Sequence, residues 1–109
     1  MPAGEEDKGR AFYGTLLGLI ELPKPTMLAK RGGAWFAVGA QEVHLGIEAD
    51  FRPARKAHVA FRVSNYEDLR ARLAAAGYET KSDEANEGTT RFFTADPFGN
   101  RIEIIDGNN

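Results

Sequence analysis

The chain has 109 residues, of which 42% are hydrophobic and 28% charged, and this fits one small domain with a modest core. A formal net charge of −2 with interleaved signs argues against a general affinity for nucleic acid, and the absence of cysteine excludes disulfides and thiolate chemistry. The apolar runs are too short to span a membrane, and residues 1–10 do not resemble a signal peptide. We therefore expect a soluble, cytoplasmic protein.

The first half of the chain is predicted to form a helix followed by three strands. Phe12, Leu16 and Leu19 recur at helical spacing, which predicts a helix over about residues 5–17 that ends at Gly18. Short apolar or alternating runs predict strands at residues 19–22, 34–38 and 42–48.

The second half repeats this order, with one extra strand before its helix. Ser64 and Glu67 form a capping-box pattern, which predicts a helix that begins at Ser64 and is closed by Gly77. Residues 82–88 are predicted to be a polar loop and residues 96–100 a tight hairpin turn. The predicted strands cover residues 57–63, 78–81, 90–94 and 101–105.

Equal spacings relate the two halves. His44 follows Gly18 by 26 residues and Glu103 follows Gly77 by the same interval, so the halves are offset by 59 residues. At that offset, the counterpart of His58 would fall just upstream of the first residue. We therefore expect the first half to lack the strand that opens the second half.

Three motifs resemble those of a known superfamily. Residues 10–19 (RAFYGTLLGL) are similar to its first helix, and residues 56–61 (KAHVAF) to the strand that opens its second module. Residues 96–103 (DPFGNRIE) are similar to its DPxGNxIE hairpin. In this order and spacing, the motifs resemble the vicinal-oxygen-chelate superfamily of glyoxalases, bleomycin resistance proteins and extradiol dioxygenases.

The resemblance implies an α+β fold of paired βαβββ modules, at about residues 1–50 and 56–107. Their strands would form a curved, open, barrel-like mixed sheet with two outer helices and a cavity inside. It also implies a small-molecule substrate or ligand, and it suggests a homodimer, since members of the superfamily commonly dimerise. Fold alone does not fix the activity, because members include both enzymes and proteins that only sequester a ligand.

The resemblance further implies a divalent metal (Zn, Ni, Mn or Fe) held by His44, His58 and Glu103, with Glu103 as a possible catalytic base. A fourth ligand position, on the absent first strand, has no residue in this sequence. Strand alternation independently puts each of these three side chains opposite its apolar neighbours. Imidazole and carboxylate ligands suit such a metal, and no organic cofactor is evident.

Less specific interpretations remain open for each candidate. His44 and His58 are equally compatible with ordinary exposed strand positions. Trp35 and Phe93 either line the substrate pocket or pack in the core, and Arg62 either holds a substrate carboxylate or phosphate or forms a structural ion pair. The sequence thus predicts a metal-dependent lyase, isomerase or dioxygenase, with a metal-free small-molecule binding protein as the alternative.

Overall fold

The computed structural model describes residues 1–83 and 88–108, and the chain divides into two compact units, Met1–Arg52 and Pro53–Asn109. Each unit combines helix with an open β-sheet, so the predicted α+β class is confirmed. Within the described ranges, no helix has the length and apolar composition needed to cross a bilayer.

The first unit contains a three-stranded antiparallel sheet in the order β1-β2-β3. Its elements are α1 (Glu6–Gly9), a π-helix (Arg10–Leu16), β1 (Ile20–Leu22), α2 (Thr26–Ala29), β2 (Ala34–Val38) and β3 (Gln41–Leu45). The short helix α2 lies in a segment for which the sequence predicted no regular structure.

The first helix differs from the predicted α-helix because most of it is wound as a π-helix. The Leu17 N–H donates to the Phe12 carbonyl five residues earlier, at 2.9 Å. This wider turn lets two consecutive aromatic side chains, Phe12 and Tyr13, point into the core, while Leu16 is only half-buried. Tyr13 lies 5.8 Å from the ring of Phe36 on β2, so the aromatic pair anchors the helix to the sheet.

No strand precedes α1 within the residues described, as the sequence predicted. Met1 alone bridges to the segment after β3: its amino group donates to the Gly46 carbonyl at 2.7 Å, and its carbonyl accepts from the Glu48 N–H at 3.1 Å. A residue that donates and accepts in this way has the pairing of one position in a parallel ladder.

The second unit contains a four-stranded mixed sheet in the order β4-β7-β6-β5. Its elements are β4 (Val59–Val63), α3 (Tyr66–Ala75), β5 (Lys81–Ser82), β6 (Arg91–Ala95) and β7 (Arg101–Asp106). Strand β4 runs parallel to β7, and the other pairs are antiparallel. The strand predicted at 78–81 is shorter and later than expected, and residues 84–87 of the predicted loop lie outside the described residues.

One face of this sheet and one face of α3 form the core of the unit. The ring of Tyr66 on α3 lies 5.2 Å from Phe92 on β6. The other fully buried side chains are Leu69 and Leu73 on α3 and Ile102 and Ile104 on β7. Burying an apolar side chain of this size contributes about 1.5–3 kcal/mol, so this face holds the helix on the sheet.

The predicted capping box is wrong. The helix N-cap is Asn65, and no side chain caps α3. The preceding residues are tied to the end of β7 instead: Asn108 Nδ2 donates to the Ser64 carbonyl at 2.6 Å, and the Gly107 N–H donates to the Val63 carbonyl at 2.7 Å. These bonds keep Ser64 in the strand connection, so the helix begins one residue later.

The predicted hairpin between β6 and β7 is present and is held by a buried carboxylate. Asp96 Oδ1 accepts from the N–H groups of Phe98 and Asn100, both at 2.9 Å. Asn100 Oδ1 in turn accepts from the Ala54 N–H at 2.9 Å, and the Arg101 N–H donates to the Ala54 carbonyl at 2.7 Å. The hairpin therefore fixes the loop that leads into β4 beside the start of β7.

Candidate metal and substrate site

His58 and Glu103 meet in the second unit, on the sheet face opposite α3. Glu103 is paired with Ala60 across the parallel β4–β7 ladder, and His58 lies one residue before β4. His58 Nε2 lies 2.8 Å from Glu103 Oε1. Two sequence-predicted site residues, separated by 45 positions in the chain, are thus in direct contact.

The second nitrogen of His58 sets the tautomer of the ring. Nδ1 lies 2.9 Å from the Lys56 carbonyl oxygen, which can only accept, so Nδ1 carries a proton. Nε2 can hydrogen-bond the ionised Glu103 Oε1 only when it carries a proton as well; without that proton, its lone pair is available to a metal. This is the orientation in which a histidine binds a metal, with a backbone carbonyl holding the other nitrogen.

Glu103 is a buried carboxylate whose two hydrogen-bond partners are His58 and Arg91. Its side chain is only 8% exposed, and Arg91 Nη1 donates to Oε2 at 3.1 Å. Burial alone would raise the pKa of this carboxyl, but the hydrogen bonds from His58 and Arg91 outweigh it and hold the pKa below its ordinary value. Glu103 is therefore ionised at neutral pH.

Arg91 joins Glu103 to a second carboxylate. Its Nη2 donates to Asp83 Oδ2 at 2.8 Å, so its two terminal nitrogens hold two different acids. Neither Arg91 nor Asp83 was among the site residues predicted from the sequence. The alternation on β6 could have indicated Arg91, because it puts Arg91 on the same face of the sheet as Phe93.

Phe93 stands at the centre of this face. It is paired with Glu103 across the β6–β7 ladder, and the edge of its ring meets His58 at a centroid distance of 5.4 Å. The guanidinium carbon of Arg101 lies 3.9 Å from the Phe93 ring centroid, a cation–π contact. A cavity of about 360 Å³ opens here, lined by Lys81, Ser82, Asp83, Phe93 and Arg101.

Arg62 lies on the same face of β4 but is exposed, and it forms no ion pair with any residue that the structure describes. The sequence left two roles open for Arg62, and the described residues provide no partner for the structural ion pair.

His44 and Trp35 belong to the first unit, where they are paired across β2 and β3. Their rings stack in parallel at a centroid distance of 3.9 Å, and His44 Nε2 lies 2.8 Å from Glu42 Oε1. Both rings line a cavity of about 300 Å³ that also includes Lys24 and Arg31. Trp35 is thus half-buried and lines a cavity rather than packing in the interior.

His58 and Glu103 supply two of the donors that a metal site needs. Two donors bound to one tetrahedral metal at about 2.1 Å each stand about 3.4 Å apart, so the 2.8 Å between His58 Nε2 and Glu103 Oε1 is a hydrogen-bond distance, and the two atoms would separate slightly to admit a metal. Among residues 1–83 and 88–108, however, no group of three or more histidine, cysteine, aspartate or glutamate side chains is arranged to hold a metal ion. The pair supplies an imidazole and a carboxylate, the ligand types that zinc, manganese and iron accept.

Solved structures similar to this chain share its fold. A glyoxalase family protein from Bacillus anthracis is 46% identical, with a TM-score of 0.93 over 97% of this chain and 87% of its own. A lactoylglutathione lyase from Agrobacterium tumefaciens is 19% identical, with a TM-score of 0.74 over 98% and 89%. A fosfomycin resistance protein from Listeria monocytogenes is 15% identical, with a TM-score of 0.70 over 93% and 81%.

The last two similarities are too remote in sequence to indicate more than a common fold. A search of curated proteins finds no match to the chain. A family model, however, matches residues 1–104, nearly the whole chain. This chain therefore belongs to the Glyoxalase/Bleomycin resistance protein/Dioxygenase superfamily.

Proposed function

We propose that this protein is a metal-dependent enzyme that acts on a small molecule as a lyase, isomerase or dioxygenase. The observation that carries the proposal is the 2.8 Å contact between His58 Nε2 and Glu103 Oε1. His58 and Glu103 would hold a divalent metal, with His44 as the third ligand that the family pattern supplies. When bound, such a metal polarises a substrate oxygen as a Lewis acid.

The chain's own residues prepare the two donors. The Lys56 carbonyl fixes the His58 ring so that Nε2 offers its lone pair. Arg91 occupies Oε2 of Glu103 and keeps the carboxyl ionised, which leaves Oε1 for the metal or for a substrate proton. The same hydrogen bond makes Glu103 a weaker base than a free carboxylate.

A second candidate is a metal-free protein that binds a small molecule in the same cavity. It is favoured by the hydrogen bonds around Glu103, because His58 and Arg91 satisfy both carboxylate oxygens without a metal. It is also favoured by the absence of a three-ligand cluster in the part of the chain that the structure describes.

Elemental analysis of protein purified without chelators separates the two candidates. We expect close to one equivalent of a divalent metal in the wild type, and a large loss in both His58→Ala and Glu103→Gln. The matched control is Glu67→Gln, which removes an exposed helix carboxylate and should retain the metal. Less than about a tenth of an equivalent in the wild type after reconstitution would reject the metal-dependent enzyme in favour of the binding protein.

His44 needs a separate test, because it lies in the first unit and contacts Glu42 there. If it is the third ligand, His44→Ala will weaken metal binding by about 10-fold or more. Unchanged affinity in His44→Ala would remove it from the ligand set and leave His58 and Glu103.

The homodimer and the cytoplasmic location are also proposals. Ile20 is 72% exposed and Met27 is 84% exposed, so the first unit presents apolar side chains that a second subunit could cover. A monomer by light scattering at micromolar concentration would contradict the dimer, and recovery of the protein outside the cytoplasmic fraction would contradict the location.

A further inference from the structure

The two faces of the second sheet differ sharply in charge. The face toward α3 is apolar, whereas the face that bears Glu103 holds four cationic side chains: Arg62, Lys81, Arg91 and Arg101. The acidic groups beside them are Glu103 itself and Asp83. Counting only these described side chains, this face has an excess of two positive charges, although the whole chain has a formal charge of −2.

Both carboxylates are committed to Arg91. Its Nη1 donates to Glu103 and its Nη2 to Asp83, at 3.1 and 2.8 Å. Lys81 and Arg101 consequently have no acidic partner among the described residues. Two cations that line one cavity with no counter-ion in the described part of the chain create a positive potential there, which attracts an anion.

Arg101 is also held in a geometry that suits anion binding. Its guanidinium carbon lies 3.9 Å from the Phe93 ring centroid, so the aromatic ring holds the side chain through a cation–π contact. Its N–H donors have no hydrogen-bond acceptor among the described residues, which leaves them for a ligand. A planar fork of this kind matches carboxylate or phosphate oxygens in pairs.

Phe93 sets the arrangement of the cavity. It is paired with Lys81 across β5–β6 and with Glu103 across β6–β7. The ring therefore lies between Lys81 and the carboxylate that contacts His58. The cavity volume of about 360 Å³ suits a small molecule, at the lower end of the usual range for ligand pockets.

We propose that Lys81 and Arg101 form a subsite for an oxyanion, a carboxylate or phosphate group, of the small molecule that reacts at the His58–Glu103 pair. Phe93 orients Arg101 in this subsite through the cation–π contact. The inference rests on the proposed function because it takes the His58–Glu103 pair as the reacting centre, and it adds the chemical class of the ligand and the residues that select it.

The test uses two probes, benzoate and inorganic phosphate, titrated into the full-length protein and followed by heteronuclear NMR. We expect saturable shifts at the amides of Lys81, Phe93 and Arg101, which weaken as salt is added because the attraction is electrostatic. Tighter binding of benzoate would identify the anion as a carboxylate next to an apolar group, and tighter binding of phosphate would identify it as a phosphate.

Variants then assign the binding to the two cations. Arg101→Gln and Lys81→Gln should each raise the dissociation constant by about 10-fold, the loss of one charge-assisted contact. Lys81 is exposed, so its variant tests the subsite even if Arg101→Gln folds poorly. The control is Arg72→Gln on α3, which should change the dissociation constant less than about twofold.

Metal content measured on the same samples separates this inference from the proposed function. Loss of anion binding in Arg101→Gln and Lys81→Gln with metal retained supports the subsite. A wild type that binds the anion but no metal keeps the subsite and rejects the metal-dependent enzyme. The inference is overturned if neither probe binds saturably, if both variants bind as the wild type does, or if the shifts are confined to the cavity of Trp35 and His44.

Discussion

Arg91 should contribute more to stability than any exposed arginine, because it neutralises a buried carboxylate. Its side chain is 19% exposed and that of Glu103 is 8% exposed. Arg91→Met keeps most of the aliphatic stem but leaves Glu103 with His58 as its remaining side-chain hydrogen-bond partner among the described residues. Removing one hydrogen bond to a buried charged group costs about 1.5–3 kcal/mol, so we expect a loss of about 2 kcal/mol.

The assay is urea and thermal unfolding with a chelator present, followed by circular dichroism. For a chain of this length, a loss of about 2 kcal/mol lowers Tm by about 8 °C. The matched control is Arg72→Met on α3, where the arginine is 40% exposed and lies 3.6 Å from Asp68. An exposed pair of this kind contributes about 0.5 kcal/mol or less.

The same measurement in a Glu103→Gln background isolates the pair. Once the charge at position 103 is gone, Arg91→Met should cost at least about 1 kcal/mol less than it does in the wild type. The reasoning is refuted if Arg91→Met is no more destabilising than Arg72→Met, or if its cost is the same in both backgrounds.

Two further predictions concern the first unit. Gly33 has a φ of +84°, and a Cβ there would stand 2.1 Å from the Leu45 carbonyl oxygen, so Gly33→Ala should cost about 3 kcal/mol or more. The control is Gly39→Ala, where φ is +57° and no atom lies within 4 Å of the added Cβ. It should lower the free energy of unfolding by about 1 kcal/mol. Equal losses for the two variants in urea unfolding would contradict the clash at Gly33. Glu6 accepts from the Gly33 N–H at 3.0 Å, and this bond lowers the pKa of its carboxyl. Its contribution is therefore present above the unfolded-state pKa and lost as pH falls through the lower folded-state pKa, so Glu6→Gln should destabilise the protein at pH 7 but little at about pH 3; a cost independent of pH would exclude this role.

Strand β2 could be predicted because glycines bound a short apolar run. It occupies Ala34–Val38, as the sequence predicts, and this run lies between Gly33 and Gly39. On α3, Leu69 and Leu73 lie four residues apart and are both buried. The start of α3 was predicted one residue too early. Ser64 has the residue type of an N-cap, but its carbonyl accepts a hydrogen bond from Asn108, 44 positions away. Local patterns do not contain such long-range bonds.

The first helix is a second case in which packing changes the local structure. The spacing of Phe12, Leu16 and Leu19 suits an ordinary α-helix. The adjacent aromatic residues Phe12 and Tyr13 are both almost fully buried, and an α-helix would direct them about 100° apart. The wider π-helical turn brings both toward the core, at the expense of burying Leu16.

The candidate site also has a part that could be predicted from the sequence and a part that could not. The face of His58 and of Glu103 follows from strand alternation, and their contact agrees with the family pattern. Arg91 could not be assigned to Glu103 from sequence, because the contact depends on the register between β6 and β7. That register pairs Glu103 with Phe93, which brings Arg91 within reach from two residues away.

The charged face of the second sheet is not required to hold α3 in place. The opposite face, with Phe92, Ile102 and Ile104 fully buried, already holds α3 in place. A buried ion pair contributes little net stability, since apolar residues of similar volume would often do as well. Glu103 is nevertheless ionised, 8% exposed and held by two donors beside a cavity. A carboxylate whose pKa is perturbed by burial and specific charged partners is a candidate functional group. The position of Glu103 therefore supports the proposed site.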